Sequence, residues 1–204
     1  AQGGAGMSVV LGLTGSIGMG KSTTTGFFRE AGVPVWDADA AVHQLYSPGG
    51  AAVASIAQLH PAAVRDQAID RAVLRAWIAT DPNALKRIEA VVHPLVAASR
   101  AAFLQDNADA PLVVLDVPLL FETGGDGYCD ETLVVTAPPD VQRARVLSRP
   151  GMTDAHLQTI LAKQMPDAQK RSRANHVIET LSLDQTRAAV LDLIFRLTGT
   201  RPHA

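Results

Sequence analysis

Gly15, Gly20, Lys21 and Ser22 occupy every fixed position of the pattern G-x-x-x-x-G-K-[ST], and Gly18 falls between them. Such a run does chemistry on polyphosphates. Glycines lack a Cβ and tolerate positive φ, so the backbone at Gly15, Ser16, Gly18, Met19 and Gly20 can wrap closely around phosphate oxygens. The wrapped N–H groups form an anion-binding nest, helped by the positive end of a following helix. In this pattern Lys21 reaches the β and γ oxygens. Ser22 places its hydroxyl on Mg²⁺, and Thr23 lies close to the α-phosphate. The expected ligand is therefore a nucleoside triphosphate with Mg²⁺. A dinucleotide fingerprint fits less well, because G-x-G-x-x-G counted from Gly18 would need its third glycine at Thr23.

Carboxylates and cations elsewhere can complete a phosphotransfer site. A kinase acting on a hydroxyl needs a carboxylate to orient it and accept its proton. Asp37 and Asp39 both follow a short apolar run and either can serve; each can equally cap a helix. Asp116 ends another apolar run and can hold Mg²⁺ through water. Glu122, within the Pro-Leu-Leu-Phe-Glu segment 118–122, is a candidate substrate contact or a surface glutamate. Arg145 and Arg149 are one helical turn apart, on one face, just before Pro150-Gly151. A basic flap there can close on the triphosphate, exclude water and neutralise charge. His93, before Pro94, is either a phosphate or ribose contact or a packed histidine. No histidine shows a metal-ligand spacing.

These residues need elements to carry them. Val9, Val10, Leu11, Gly12 and Leu13 read as a buried parallel strand leading into the loop, and residues 21–31 as the helix leaving it, stopping at Gly32. Further strands are expected at 33–36, 112–116, 132–136 and 176–178. Helices are expected at 139–149, from Thr153 to about 163, and after the capping-box pattern Ser182-x-x-Gln185. Strands alternating with helices predict an α/β fold with a parallel five-stranded sheet flanked by helices. Residues 40–107 are alanine-rich and read as helical with no strand, with Asp81 as a helix N-cap and Pro82 at the first helical position. Since ligands of open parallel sheets bind beyond the carboxyl ends of the strands, the groups ending each strand can converge on the loop.

Bulk properties set bounds. A chain of 204 residues suits one compact domain with an insertion, and a net charge of −2 argues against a nonspecific nucleic-acid binder. No segment is long and apolar enough for a membrane span. Cys129 stands alone, which excludes an internal disulfide and fits a reducing cytoplasm. Residues 1–6 are read as an expression remnant and Met7 as the native start.

Several of these segments together resemble one family, the dephospho-coenzyme A kinases. They are the loop segment 12–23, Asp37-Ala38-Asp39, His93-Pro94-Leu95, the segment 116–122, the Gln142/Arg145/Arg149 pattern, and Gln164. The resemblance implies transfer of the ATP γ-phosphate to the ribose 3′-hydroxyl of dephospho-coenzyme A, with Mg²⁺. It implies a P-loop nucleotide-binding core (7–39 and 108–204) with a helical lid at about 140–175, and a helical coenzyme A-binding subdomain (40–107). It selects Asp39 as general base and makes Lys21 and Arg145 catalytic. Arg149 becomes a nucleotide contact, and His93, Pro118, Leu119 and Glu122 become substrate contacts. A cytoplasmic protein, favoured as a monomer, is expected. The chain departs from the family's pattern near its end: Asn175 follows Ala174, and Thr180 stands where the family commonly has asparagine. Other small-molecule kinases share the loop. A GTP-dependent switch would carry D-x-x-G and N-K-x-D segments, which are absent, and a degenerate nucleotide-binding protein would not need Lys21 and Asp39.

Overall fold

The structure is a computed structural model that describes residues 8–201; the expectations for residues 1–6 and Met7 lie outside the described residues. In chain order the elements are β1 (Val9–Thr14), α1 (Lys21–Glu30), β2 (Val35–Asp37), α2 (Ala38–Tyr46), α3 (Val53–Leu59), β3 (Val64–Arg65), β4 (Ala68–Ile69), α4 (Arg71–Thr80) and α5 (Ala84–Asp106). There follow β5 (Leu112–Asp116), β6 (Glu131–Thr136), α6 (Pro139–Leu147), α7 (Asp154–Leu161), α8 (Asp167–Arg173), β7 (His176–Glu179) and α9 (Leu183–Thr198). They form two compact units, Asp37–Asp106 and the residues on either side of that segment.

The flanking unit is built on a five-stranded sheet of order β2-β5-β1-β6-β7. β1 runs parallel to both β5 and β6, and β7 parallel to β6, which puts the strand ends that carry Thr14, Asp116 and Thr136 at one edge. The strands are apolar on both faces because helices cover both. Leu11, Leu13, Leu112, Val114, Leu133 and Val135 join Phe27 and Phe28 of α1 and Val190, Leu193 and Ile194 of α9 in one core. The alternate residues Val113, Leu115 and Val134 are equally buried on the opposite face. Pro139 begins α6, where a missing N–H costs nothing. Thr153 and Ser182 cap α7 and α9 by accepting from His156 N–H and Gln185 N–H. Two differences from the sequence expectation bear on the site. Helix α6 stops at Leu147 rather than 149, and a helix not expected from the sequence, α8, carries Arg171 and Arg173 and has too few apolar residues to show a helical period.

The Asp37–Asp106 unit has its own core of Ile56, Ala63, Ile69, Leu74, Ile88 and Val92. It is not wholly helical, since β3 and β4 form a small antiparallel hairpin, Val64 opposite Ile69. Each strand is too short to show alternation, and the turn is made by Asp66 and Gln67 at φ 50° and 61° rather than by glycine. Asp81 is not the N-cap of the next helix. It closes α4, accepts from Asn83 N–H and Trp77 Nε1, and α5 begins at Ala84. Pro94 lies inside α5, which runs through it. Ile88, Val91, Val92, Leu95 and Val96 continue one apolar stripe into the core across that position, and their burial offsets the single hydrogen bond that proline forfeits. Among the described residues no helix is long and apolar enough to cross a membrane.

Candidate active site

The loop between β1 and α1 takes the form its composition requires. Gly18 and Gly20 sit at φ 77° and 86°, and Gly20 is the N-cap of α1. Lys21, Ser22 and Thr23 form the first turn of that helix; Ser22 and Thr23 are exposed. The loop is braced from its outer side by side chains distant in sequence. Gln142 Nε2 donates to the Ile17 carbonyl at 2.8 Å, and Gln164 Oε1 accepts from Ile17 N–H at 3.3 Å. Thr180 Oγ1 donates to the Met19 carbonyl at 2.8 Å. The Met19 side chain points inward, only 3 % exposed, with its sulfur accepting from Ala137 N–H. Only the backbone of Met19 is therefore placed to meet a phosphate. Ser16 is also buried, and its carbonyl accepts from Met19 N–H.

Asp116, at the end of β5 beside β1, is 3 % exposed and fully engaged. Its Oδ1 takes the Lys21 ammonium and its Oδ2 accepts from Thr25 Oγ1 at 2.9 Å. The first turn of α1, which follows β1, and the end of the neighbouring β5 thus bring Lys21 and Asp116 together. Among the described residues no group of three metal-ligating side chains occurs. The Ser22 hydroxyl makes no hydrogen bond among the described residues, whereas both Asp116 oxygens are occupied.

Past Asp116, the Pro118 carbonyl accepts from Thr14 Oγ1, and Leu119 is 38 % exposed. Glu122 is tied into the protein. Its Oε1 accepts from Met165 N–H at 2.8 Å and lies 2.9 Å from the ammonium of Lys170, a lysine with no exposed side-chain surface. Burial raises the Glu122 carboxyl, but the Met165 N–H and the Lys170 ammonium outweigh it and hold the group below its ordinary value. Glu122 thereby fastens the end of the segment after α7 to the loop after β5. The sequence allows Glu122 as a supporting contact behind the site, as a substrate contact or as a surface residue, and the structure makes it a supporting contact; Lys170 carries no sequence signal, since nothing in a basic run marks one lysine as buried.

The two arginines of the proposed flap part company. Arg145, on α6, donates through Nη1 to Thr180 Oγ1 at 2.9 Å and through Nη2 to the Thr180 carbonyl. Arg149 lies beyond the end of α6 and is exposed, so the two do not share a helix face. Ser148 is the C-cap of α6 and still donates to the Ala144 carbonyl, and the Pro150-Gly151 break follows.

In the Asp37–Asp106 unit, Asp37 Oδ1 accepts from Ala40 N–H at 2.9 Å and caps α2. Asp39, in the first turn of α2, is exposed and makes no hydrogen bond or ion pair among the described residues. The pair that sequence reading left open is thus divided by local geometry into a cap and a free carboxylate. His93 is exposed on α5 and is not a packed histidine. It borders a cavity of about 280 Å³ lined by apolar residues including Tyr46, Leu74, Ile78 and Leu85, with Arg71 and Arg75 also on its wall.

Comparison with known proteins agrees with this geometry. The family model described as dephospho-CoA kinase matches residues 9–184. A dephospho-CoA kinase of Jannaschia sp. (strain CCS1) is 62% identical over 192 residues, covering 94% of this chain and 98% of the relative. The corresponding protein of Cereibacter sphaeroides is 60% identical over 190 residues, covering 93% and 96%. A crystal structure from Thermus thermophilus superposes with a TM-score of 0.80 at 35% identity, over 93% of this chain and 97% of that one. A dephospho-CoA kinase from Campylobacter jejuni shares the fold, with a TM-score of 0.66 at 18% identity over 95% and 99%. With its phosphate loop intact and a match running from β1 into α9, this chain belongs to the dephospho-CoA kinase family.

Proposed function

We propose that this protein transfers the γ-phosphate of ATP to the ribose 3′-hydroxyl of dephospho-coenzyme A, giving coenzyme A and ADP. The observation that carries the assignment of roles is the division between Asp37 and Asp39. One carboxylate is consumed by the α2 N-cap, and the other is left exposed with no partner among the described residues. A free carboxylate can accept the proton of the attacking hydroxyl as the O–P bond forms. In this reading Asp39 is the general base. The amides from Gly15 to Gly20 cradle the β- and γ-phosphates, and Thr23 meets the α-phosphate. Lys21 leaves Asp116 for the triphosphate and follows the transferring group. Arg149 meets phosphate charge from the flap, and Arg145 reaches the site through Thr180.

Mg²⁺, held by Ser22 and through water by Asp116, would neutralise the charge on the β- and γ-oxygens. The Asp37–Asp106 unit receives the acceptor. Its apolar cavity suits the pantetheine arm, and Arg71, Arg75 and His93 suit the diphosphate. Pro118 and Leu119 supply further contact. We place the enzyme in the cytoplasm, acting as a monomer.

The test is ADP release over a panel of acceptors. Dephospho-coenzyme A should be turned over, and nucleosides, nucleotides and shikimate should not. Asp39→Asn should keep ATP affinity while lowering turnover by about 10²–10⁴-fold. Phosphorylation of a nucleoside with dephospho-coenzyme A left untouched would overturn the assignment. Near-normal turnover by the Asp39 variant would remove the base from it.

A further inference from the structure

The phosphate loop is held partly by its own Met19 N–H to Ser16 carbonyl bond and partly from outside. Its carbonyls at Ile17 and Met19 are each hooked from outside by a buried side chain, Gln142 and Thr180, both at 2.8 Å. A peptide unit is planar and trans, so its C=O and N–H point in opposite directions. Pulling the Ile17 carbonyl outward therefore turns Gly18 N–H inward. Pulling the Met19 carbonyl outward does the same for Gly20 N–H. Neither glycine N–H donates to a protein acceptor among the described residues.

The protons around Thr180 are fixed by elimination. A guanidinium only donates, so Thr180 Oγ1 accepts from Arg145 Nη1 and must spend its single hydrogen elsewhere. The Met19 carbonyl at 2.8 Å is the nearest acceptor, ahead of the Thr136 carbonyl at 3.3 Å. Contact is also close at Gly20, where an added Cβ would stand 2.7 Å from Thr180 Oγ1.

We propose that Thr180 and Gln142 are positioning residues that aim the Gly20 and Gly18 amides at the phosphates, and that Arg145 acts through Thr180 rather than by touching the phosphates. The proposal rests on the reading that this loop holds a triphosphate, and it explains how threonine serves where the family pattern commonly has asparagine. Arg145 accordingly raises nucleotide affinity by orienting a hydroxyl.

The test is calorimetric titration with Mg-ATP in the absence of any acceptor, so that it is independent of which hydroxyl the enzyme phosphorylates. Thr180→Val, which keeps the shape and loses the hydroxyl, should weaken binding about tenfold, the size of one hydrogen bond. Thr180→Ser should stay within about twofold of the parent. Arg145→Met should weaken binding on its own but add little to Thr180→Val. Gln142→Met should weaken ATP in the same way while leaving the Arg145 effect intact. In the free protein, Arg145→Met should shift the NMR resonance of the Gly20 amide and leave that of Gly18 in place, a readout that needs no Thr180 variant to fold. An Arg145 penalty carried undiminished into the Thr180→Val background would overturn the proposal. Unchanged ATP affinity in Thr180→Val, or an unmoved Gly20 amide in Arg145→Met, would do the same.

Discussion

Replacing Lys170 by methionine isolates the ion pair that fastens the segment after α7. The side chain of Lys170 has no exposed surface, and that of Glu122 is 17% exposed. Methionine fills nearly the same volume, so the change removes charge and little packing. Glu122 would be left with backbone N–H partners alone, those of Met165 and of Glu122 itself, and no counter-charge. Breaking a buried pair by removing one member costs about 3–5 kcal/mol, and the partial exposure of Glu122 points to the lower end, about 3 kcal/mol. For a protein of this size that is a fall in Tm of about 6–12 °C.

The pH dependence separates charge from shape in that variant. The Glu122 carboxyl is held below its ordinary value of 4.5. Its contribution is therefore fully present above pH 4.5 and is lost as pH falls through the lower folded value. The gap in Tm between parent and Lys170→Met should be wide at pH 7 and narrow in acid below 4.5. Adding Glu122→Gln, whose amide oxygen can still accept from Met165 N–H, should recover much of the loss at pH 7. Thermal unfolding followed by circular dichroism at both pH values is sufficient. A drop under about 2 °C at pH 7, or a gap of equal size in acid, would refute the reasoning, because charge would then not be what the pair contributes.

Two further outcomes follow from local geometry. Gly20→Ala places a Cβ where φ is 86° and Thr180 Oγ1 stands 2.7 Å away, so ATP binding should be lost in titration and the left-handed strain alone should cost about 1–2 kcal/mol of stability. Asn175 Oδ1 accepts from both Thr132 N–H and Thr132 Oγ1, so Asn175→Leu strands buried donors on β6 and should lower Tm by about 4–8 °C, from a cost of about 2 kcal/mol; an unchanged melting curve would show that water replaces the amide.

Much of this fold is legible in the sequence because its signals are local. The apolar run at 9–13, the glycines at 15, 18 and 20, and the capping residues Thr153 and Ser182 each report on their own few neighbours. What escaped sequence reading depends on partners far along the chain. Gln142, Gln164 and Thr180 stand out in the sequence only through the family resemblance, and their contacts with the loop at Ile17 and Met19 depend on β6 lying beside β1 and β7 beside β6, which no periodicity encodes. The β3–β4 hairpin carries too few residues for alternation to rise above chance. Arg145 and Arg149 looked like one face of one helix because spacing says nothing about where a helix ends.

The engagement of Asp116 by both Lys21 and Thr25 also bears on discrimination. A lysine already neutralised by a buried carboxylate is a poor lure for a small anion. To take it, the anion must repay a stranded charge on Asp116, which inorganic phosphate alone has nothing to offset. On the roles proposed for Lys21 and Asp116, a polyphosphate that arrives with its own divalent cation would bring both counter-ions at once, the anion for Lys21 and the hydrated cation for Asp116. The pair would then act as a two-key lock, which the metal and the nucleotide open together and free phosphate does not.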